Sequence, residues 1–193
     1  MRLGPATKKH AVDARSDHTK PRHQAAVSSV LAAMVLVVLN TAMANMALPT
    51  IAQSLQVTPA LSIWIITANQ AALLMALLPC AALGESLGYR RIFRWGVALF
   101  LFATLMCALA PTLSWLIAAR LLQGLGGAAV MALAIALLRQ VVPSQQLGTA
   151  IGWNALAVAL SSAAGPAIGA AILSVADWPW LFAVLLPFGL WVM

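Results

Sequence analysis

Charge is scarce in this 193-residue sequence: four acidic residues, eleven basic ones and three histidines, with charged side chains at 8%. Soluble domains carry about 25% charged residues. A chain this poor in polar groups cannot cover a globular surface, which excludes a soluble globular enzyme, a disordered chain and a nucleic-acid-binding domain. No histidine follows His23. There is no plausible metal cluster, no phosphate loop and no nucleophile–base pair, so the reading is a non-enzyme without metal or cofactor, and not an ATP-driven pump. The two cysteines, Cys80 and Cys107, fall in apolar stretches toward opposite ends of neighbouring spans. Helix rise puts them roughly 20 Å or more apart, too far for a disulfide, so both are expected to be packing residues.

What the sequence has instead is apolar length. Hydrophobic residues make up 63% and mean hydropathy is +0.95. A membrane helix needs about 20 apolar residues. Five runs qualify: Ala25 to Leu48, Leu61 to Leu83, Ile92 to Ala110, Trp115 to Leu138 and Thr149 to Val175. A sixth begins near Trp180 and reaches Met193 after about 14 residues, too short to cross, so the sequence is expected to stop within a helix. The runs are continuous rather than alternating, which selects helices over a barrel. The expected fold class is all-α, a polytopic transmembrane helix bundle of residues 25–193 preceded by a basic tail, residues 1–24.

The basic residues set orientation. Six of them, Arg2, Lys8, Lys9, Arg15, Lys20 and Arg22, precede the first span; Arg90, Arg91 and Arg94 follow the second, and Arg139 follows the fourth. The other loops have none, so every basic loop lies on one side and the N-terminus is expected in the cytoplasm, in a plasma membrane and, for a bacterial protein, the inner one. Trp64, Trp95, Trp115, Trp153, Trp178 and Trp180 sit at span ends, where indole rings favour the interface; Trp191 does not. A signal peptide is the rival reading of the first span, with Ala42-Met43-Ala44 as cleavage site, but its polar lead is long and Asn40 interrupts the apolar run.

Polar groups at membrane depth are costly and face a bundle interior or a water-filled cavity. Asn40, Asn69, Gln70 and Gln123 fall at one depth, roughly 12 Å below the outer surface by helix rise. They are either hydrogen-bonding glue or the wall of a substrate cavity. Arg120 is the single intramembrane charge. With Gln123, Gly124 and Gly127 it follows i, i+3, i+4, i+7 spacing, a small and polar stripe expected to face the bundle; snorkelling to the interface is the alternative. Ser161, Gly165 and Gly169 form a small-xxx-small face for close helix approach, with Pro166 expected to bend the helix. Gly84 and Gly88 suit a tight turn between antiparallel helices, and Glu85, Arg90 and Arg91 lie on that surface.

These segments together resemble the major facilitator superfamily, in its fourteen-span drug:proton antiporter branch. Leu83, Gly84, Glu85, Gly88, Arg90 and Arg91 are similar to the G-x-L-A-D-R-x-G-R-R loop signature, with Ala81 for its first Gly, Glu85 for its Asp and Ser86 for its first Arg. Leu116, Arg120, Gln123 and Gly124 resemble L-x-x-x-R-x-x-Q-G. Gly152, Gly165, Pro166 and Gly169 fit the antiporter signature G-x8-G-P-x-x-G-P-x-x-G, with Ser161 and Ser162 replacing its first Gly-Pro. Leu39 to Pro49, including Asn40 and Asn45, resembles L-D-x-T-x-x-N-V-A-L-P. Trp178-Pro179-Trp180-Leu181-Phe182, then Pro187 and Gly189, resemble W-R-W-I-F…P-x-G. Each is weak alone; five in order on the right helices are strong.

The resemblance implies the N-terminal half of a secondary active transporter. Its activity would be proton-coupled efflux of small molecules or drugs by alternating access, the efflux behind multidrug resistance, with the lipid bilayer, protons, a small-molecule substrate and the absent C-terminal half as partners. It implies proton coupling at Arg120 and Gln123, a conformational lock at Gly84, Glu85, Gly88, Arg90 and Arg91, a bend that seals the pathway at Gly152, Gly165, Pro166 and Gly169, and cavity contacts at Asn40, Asn45, Asn69 and Gln70. Asn40 stands where the branch has an Asp, and an amide cannot exchange a proton near neutral pH. Two competing readings are a truncated, non-transporting membrane protein that serves as an interaction partner, and a half-transporter that self-assembles.

Overall fold

The computed structural model describes residues 20–192, all of its regular structure helical; most of the basic tail lies outside the described residues. Seven helices follow in order: α1 (Lys20–Ser54), α2 (Pro59–Leu87), α3 (Tyr89–Ala108), α4 (Leu113–Val141), α5 (Ser144–Leu173), α6 (Trp180–Ala183) and α7 (Leu185–Val192). The first five are long and apolar enough to cross a membrane, and in hydrocarbon a helix is the element that satisfies its own backbone polar groups. The chain is a polytopic transmembrane bundle.

The helices run past the apolar segments at several ends. α1 continues through Asn45 and Pro49 to Ser54, and α5 begins at Ser144, inside the stretch read as a loop. The turn after α2 is shorter than expected. Gly84, Glu85 and Ser86 are still helical and Gly88 alone makes the corner, at φ +97°. That backbone conformation suits a residue without a Cβ. Gly84 serves packing instead: a Cβ there would lie 3.0 Å from the Tyr89 ring and strike Leu133. Arg90 and Arg91 therefore belong to the first turn of α3, not to a loop.

α4 is the most buried of the five spanning helices and packs between α2 and α3, while α1 packs on α5. Glycines set both seams, as close approach without a hydrophobic driving force requires. On α4, a Cβ at Gly124 would meet the backbone oxygen of Asn69 on α2, and one at Gly126 would lie 2.6 Å from the Phe100 nitrogen on α3. On α5, Gly165 and Gly169 rest against Ala42 and Met43 of α1, so the predicted small face does make the close contact. Gly152 does not share it; among the described residues nothing lies within 4 Å of a Cβ placed there. Pro166 lies inside α5, which runs on without interruption.

The sixth apolar segment is broken at Val184 into α6 and α7. Pro187 explains the break, because it has no N–H for the Ala183 carbonyl and its ring crowds that oxygen. Trp178 departs from the interfacial role expected of it. It is buried, donates from Nε1 to Ser54 Oγ at 3.1 Å and meets Phe182 edge-on at 6.4 Å, which fastens the end of α1 to α6.

Candidate functional site

Arg120 lies seven residues after the start of α4 and only 2% of its surface is exposed. Gln123, one turn on, is fully buried, and Gly124 and Gly127 complete a buried face. The stripe read from the sequence thus points into the bundle, and the snorkelling alternative is excluded by burial. Arg120 Nη1 donates to Gln123 Oε1 at 2.6 Å and, at 3.5 Å, to Asn40 Oδ1 on α1. Gln123 Nε2 donates to Thr104 Oγ1 on α3 at 2.8 Å, and that hydroxyl donates to the Phe100 carbonyl at 2.7 Å. From α2, Asn69 Nδ2 donates to the Arg120 carbonyl at 3.2 Å. The Phe182 ring of α6 caps the guanidinium, its centroid 5.1 Å from Cζ.

Five helices therefore meet in one network around this charge, and both hydrogen-bond acceptors of the guanidinium are amide oxygens. The described residues hold two carboxylates, Glu85 in the last turn of α2 and Asp177 beyond α5, both at helix ends. Arg120 Nε and Asn40 Nδ2 find no partner among the described residues. Donors of a buried network left unpaired in this way are costly.

Three of the four amides placed at one depth by the sequence, Asn40, Asn69 and Gln123, converge here. Gln70 does not. Neighbours on a helix point about 100° apart, so with Asn69 turned inward Gln70 turns to the open side. There it lines a cavity of about 720 Å³ with Asn45, Thr41, Ser162, Met131 and Pro166, residues of α1, α2, α4 and α5. Asn45 and Gln70 thus belong to a concave wall, while Asn40 and Asn69 belong to the Arg120 network behind it. Gly165 and Gly169 hold α5 against α1 at the edge of this wall. Glu85, Gly88, Arg90 and Arg91 stand at the far end of α2 and α3, apart from both.

Sequence reasoning missed Thr104 and Asn154, and quoted Phe182 and Thr41 within motif segments without giving either a role at the site. Thr104 and Phe182 lie in segments with no polar periodicity to mark them. Asn154 is a buried amide on α5 whose span position, in line with Ser161 and Gly165, was a usable signal.

Comparison with known proteins agrees with this architecture. The sequence profile described as Major Facilitator Superfamily matches residues 30–193. The chain is 46% identical over 170 residues to "Uncharacterized transporter YebQ" of Escherichia coli (strain K12), covering 88% of this chain and 37% of that protein. It is 34% identical over 165 residues to the "Methylenomycin A resistance protein" of Streptomyces coelicolor, covering 84% and 34%. In fold it is similar to the crystal structure of a bacterial homolog of the human lysosomal transporter Spinster, at a TM-score of 0.75 and 16% identity over 90% of this chain and 43% of that one. The chain spans little more than a third of the length of the curated relatives it matches. With a matching profile over nearly all the described residues, and with the helical bundle and its buried arginine as the sequence motifs require, the chain belongs to the Major Facilitator Superfamily.

Proposed function

We propose that this chain forms the amino-terminal helical half of a proton-coupled secondary transporter, of the fourteen-span antiporter branch, that expels small molecules by alternating access. It would sit in a bacterial inner membrane with its basic tail in the cytoplasm, in keeping with the asymmetry of Lys and Arg. The observation that carries the reading is a buried arginine, held by Gln123 of its own helix and Asn40 of α1, next to an open cavity of about 720 Å³ whose largely apolar wall carries Thr41, Asn45, Gln70 and Ser162. The names of the relatives, a transporter and a methylenomycin A resistance protein, are in keeping with export as the activity.

In this reading Asn45 and Gln70 contact the solute. Arg120 and Gln123 couple its movement to the proton, Arg120 acting through its fixed charge. The group that takes and gives the proton lies in the remainder of the polypeptide, because Asn40 offers only an amide where the resemblance would place an acid. Gly165 and Pro166 seal the pathway along α1, and Glu85, Gly88, Arg90 and Arg91 hold the two halves in one conformation.

The test is transport by the complete protein in proteoliposomes under an imposed pH gradient, across a broad panel of antibiotics and dyes. Gradient-dependent movement of at least one solute, abolished in Arg120→Ala with insertion intact, is expected. No movement of any solute, or near-normal rates in Arg120→Ala, refutes the proposal.

A further inference from the structure

A second cluster of arginines lies far from Arg120. Arg90, Arg91 and Arg94 occupy the first turns of α3, all exposed, with exposed Trp95 beside them. They line an open cavity of about 600 Å³. Arg90 and Arg94 also border a second cavity of about 220 Å³, which runs between α1, α3 and α4 over Val30, Val97, Leu137 and Val141. A basic mouth thus opens onto an apolar groove. α3 has 20 residues, about the thickness of the hydrocarbon core, so its first turn sits at the level of lipid headgroups. Glu85 is the one carboxylate of the described residues at this end of the bundle, so the three guanidiniums hold a net positive charge.

We propose that Arg90, Arg91 and Arg94 together with this groove bind one anionic phospholipid. The guanidiniums hold the phosphate and the groove takes the headgroup-proximal part of one acyl chain. Guanidinium geometry matches two phosphate oxygens at once, and basic pockets between membrane helices suit anionic headgroups. Trp95 favours the same interfacial level. A free phosphate would use only the mouth and leave the groove unfilled, which makes a lipid the occupant.

The site is tested on the complete protein in detergent by native mass spectrometry, with dioleoyl-phosphatidylglycerol or dioleoyl-phosphatidylcholine added. The acyl chains are identical, so retention reports the headgroup. An arginine near an anionic surface contributes about fivefold in affinity. Phosphatidylglycerol should be retained at least about tenfold better than phosphatidylcholine, and the triple variant Arg90→Gln, Arg91→Gln, Arg94→Gln should lose that preference while Arg139→Gln keeps it. If the triple variant does not fold, Arg94→Gln alone should lower retention about fivefold. Equal retention of the two lipids, a preference unchanged in the triple or single variant, or displacement of the lipid by soluble glycerol 3-phosphate overturns the proposal.

Discussion

The seam between α1 and α5 can be tested one methyl group at a time. A Cβ at Gly165 would fall on the Cβ of Ala42, while the next atoms it would meet, the Ala42 carbonyl carbon and Cα, are 3.5 Å away, an ordinary contact. One methyl therefore stands between a clash and a fit. In a helix, Gly→Ala on its own gains about 0.5–1 kcal/mol. Overpacking a tight seam costs about 1–3 kcal/mol. Gly165→Ala should thus be neutral to about 2 kcal/mol destabilising. Gly152→Ala, where nothing lies within 4 Å, supplies the reference and should stabilise by the propensity term alone.

Ala42→Gly removes the obstructing methyl and costs about 1 kcal/mol in helix propensity. In the double variant the methyl has moved from one helix to the other, and the seam closes as before. The cycle should give a favourable coupling of about 1–3 kcal/mol, well above the scatter of about 0.5 kcal/mol for independent sites. Reversible unfolding in sodium dodecyl sulfate, followed by far-ultraviolet circular dichroism, measures all four. A Gly165→Ala variant as stable as Gly152→Ala, or additivity in the cycle, would refute the seam. Gly124 provides the contrast: the nearest atom in the way is the Asn69 backbone oxygen, with the Ala72 Cβ behind it at 2.9 Å, so Ala72→Gly or any other side-chain substitution on α2 should not rescue Gly124→Ala.

Other substitutions separate the parts of the network. Gln123→Leu removes the 2.6 Å acceptor of Arg120 and should cost about 2–4 kcal/mol in the same unfolding assay, whereas Thr104→Val removes the acceptor of Gln123 Nε2 and a donor to the Phe100 carbonyl, both neutral bonds, and should cost about 1 kcal/mol; equal losses would dissolve the ordering. Gly88→Ala forces a side chain to φ +97° and should destabilise by about 1–2 kcal/mol despite open space around it, read as a lower unfolding midpoint. Ser54→Ala should lose about 1 kcal/mol and Trp178→Phe more, because it also leaves buried space beside Phe182, and the double variant should lose about 1 kcal/mol less than the sum, since both delete the same hydrogen bond. Arg120→Met should leave stability unchanged within about 1–2 kcal/mol, or raise it, and abolish gradient-driven transport of the complete protein in vesicles.

The spans were legible because hydrocarbon imposes a single requirement over about 20 residues at a time, and no tertiary detail alters it. The Arg120 stripe was legible for a related reason: a charge at that depth has one direction in which to point. Helix ends were not. Gly84 to Leu87 carry loop-like residues, yet stay helical because Gly84 is needed against Leu133 and Tyr89. The level shared by Asn69 and Gln70 concealed a division, since depth is a coordinate along the helix and the facing direction is another; adjacency on one helix already forbade both from meeting Arg120. Trp178 looked interfacial by position, and only its partner Ser54, 124 residues away in sequence, makes it a buried fastening. Gly152 matched a signature at the right spacing, yet a Cβ there would meet nothing within 4 Å among the described residues.

Magnitudes decide what Arg120 is for. A guanidinium at membrane depth costs about 2.5–3.5 kcal/mol on insertion scales, and an unpaired Nε adds about 1–3 kcal/mol. Against this stand one short charge-assisted bond to Gln123, about 1.5–3 kcal/mol, the Phe182 ring, about 0.5–2 kcal/mol, and a long contact to Asn40 that is weaker than either. Interhelical hydrogen bonds in membranes average only about 0.6 kcal/mol. The favourable and unfavourable terms are the same size, so the charge does not act as glue, and an unbranched apolar side chain of similar length fills the same space without the desolvation cost. The bundle has no need of a cation at position 120 for its stability; the transport reading does need one. A stable but inactive Arg120→Met protein is the result that only the second can explain.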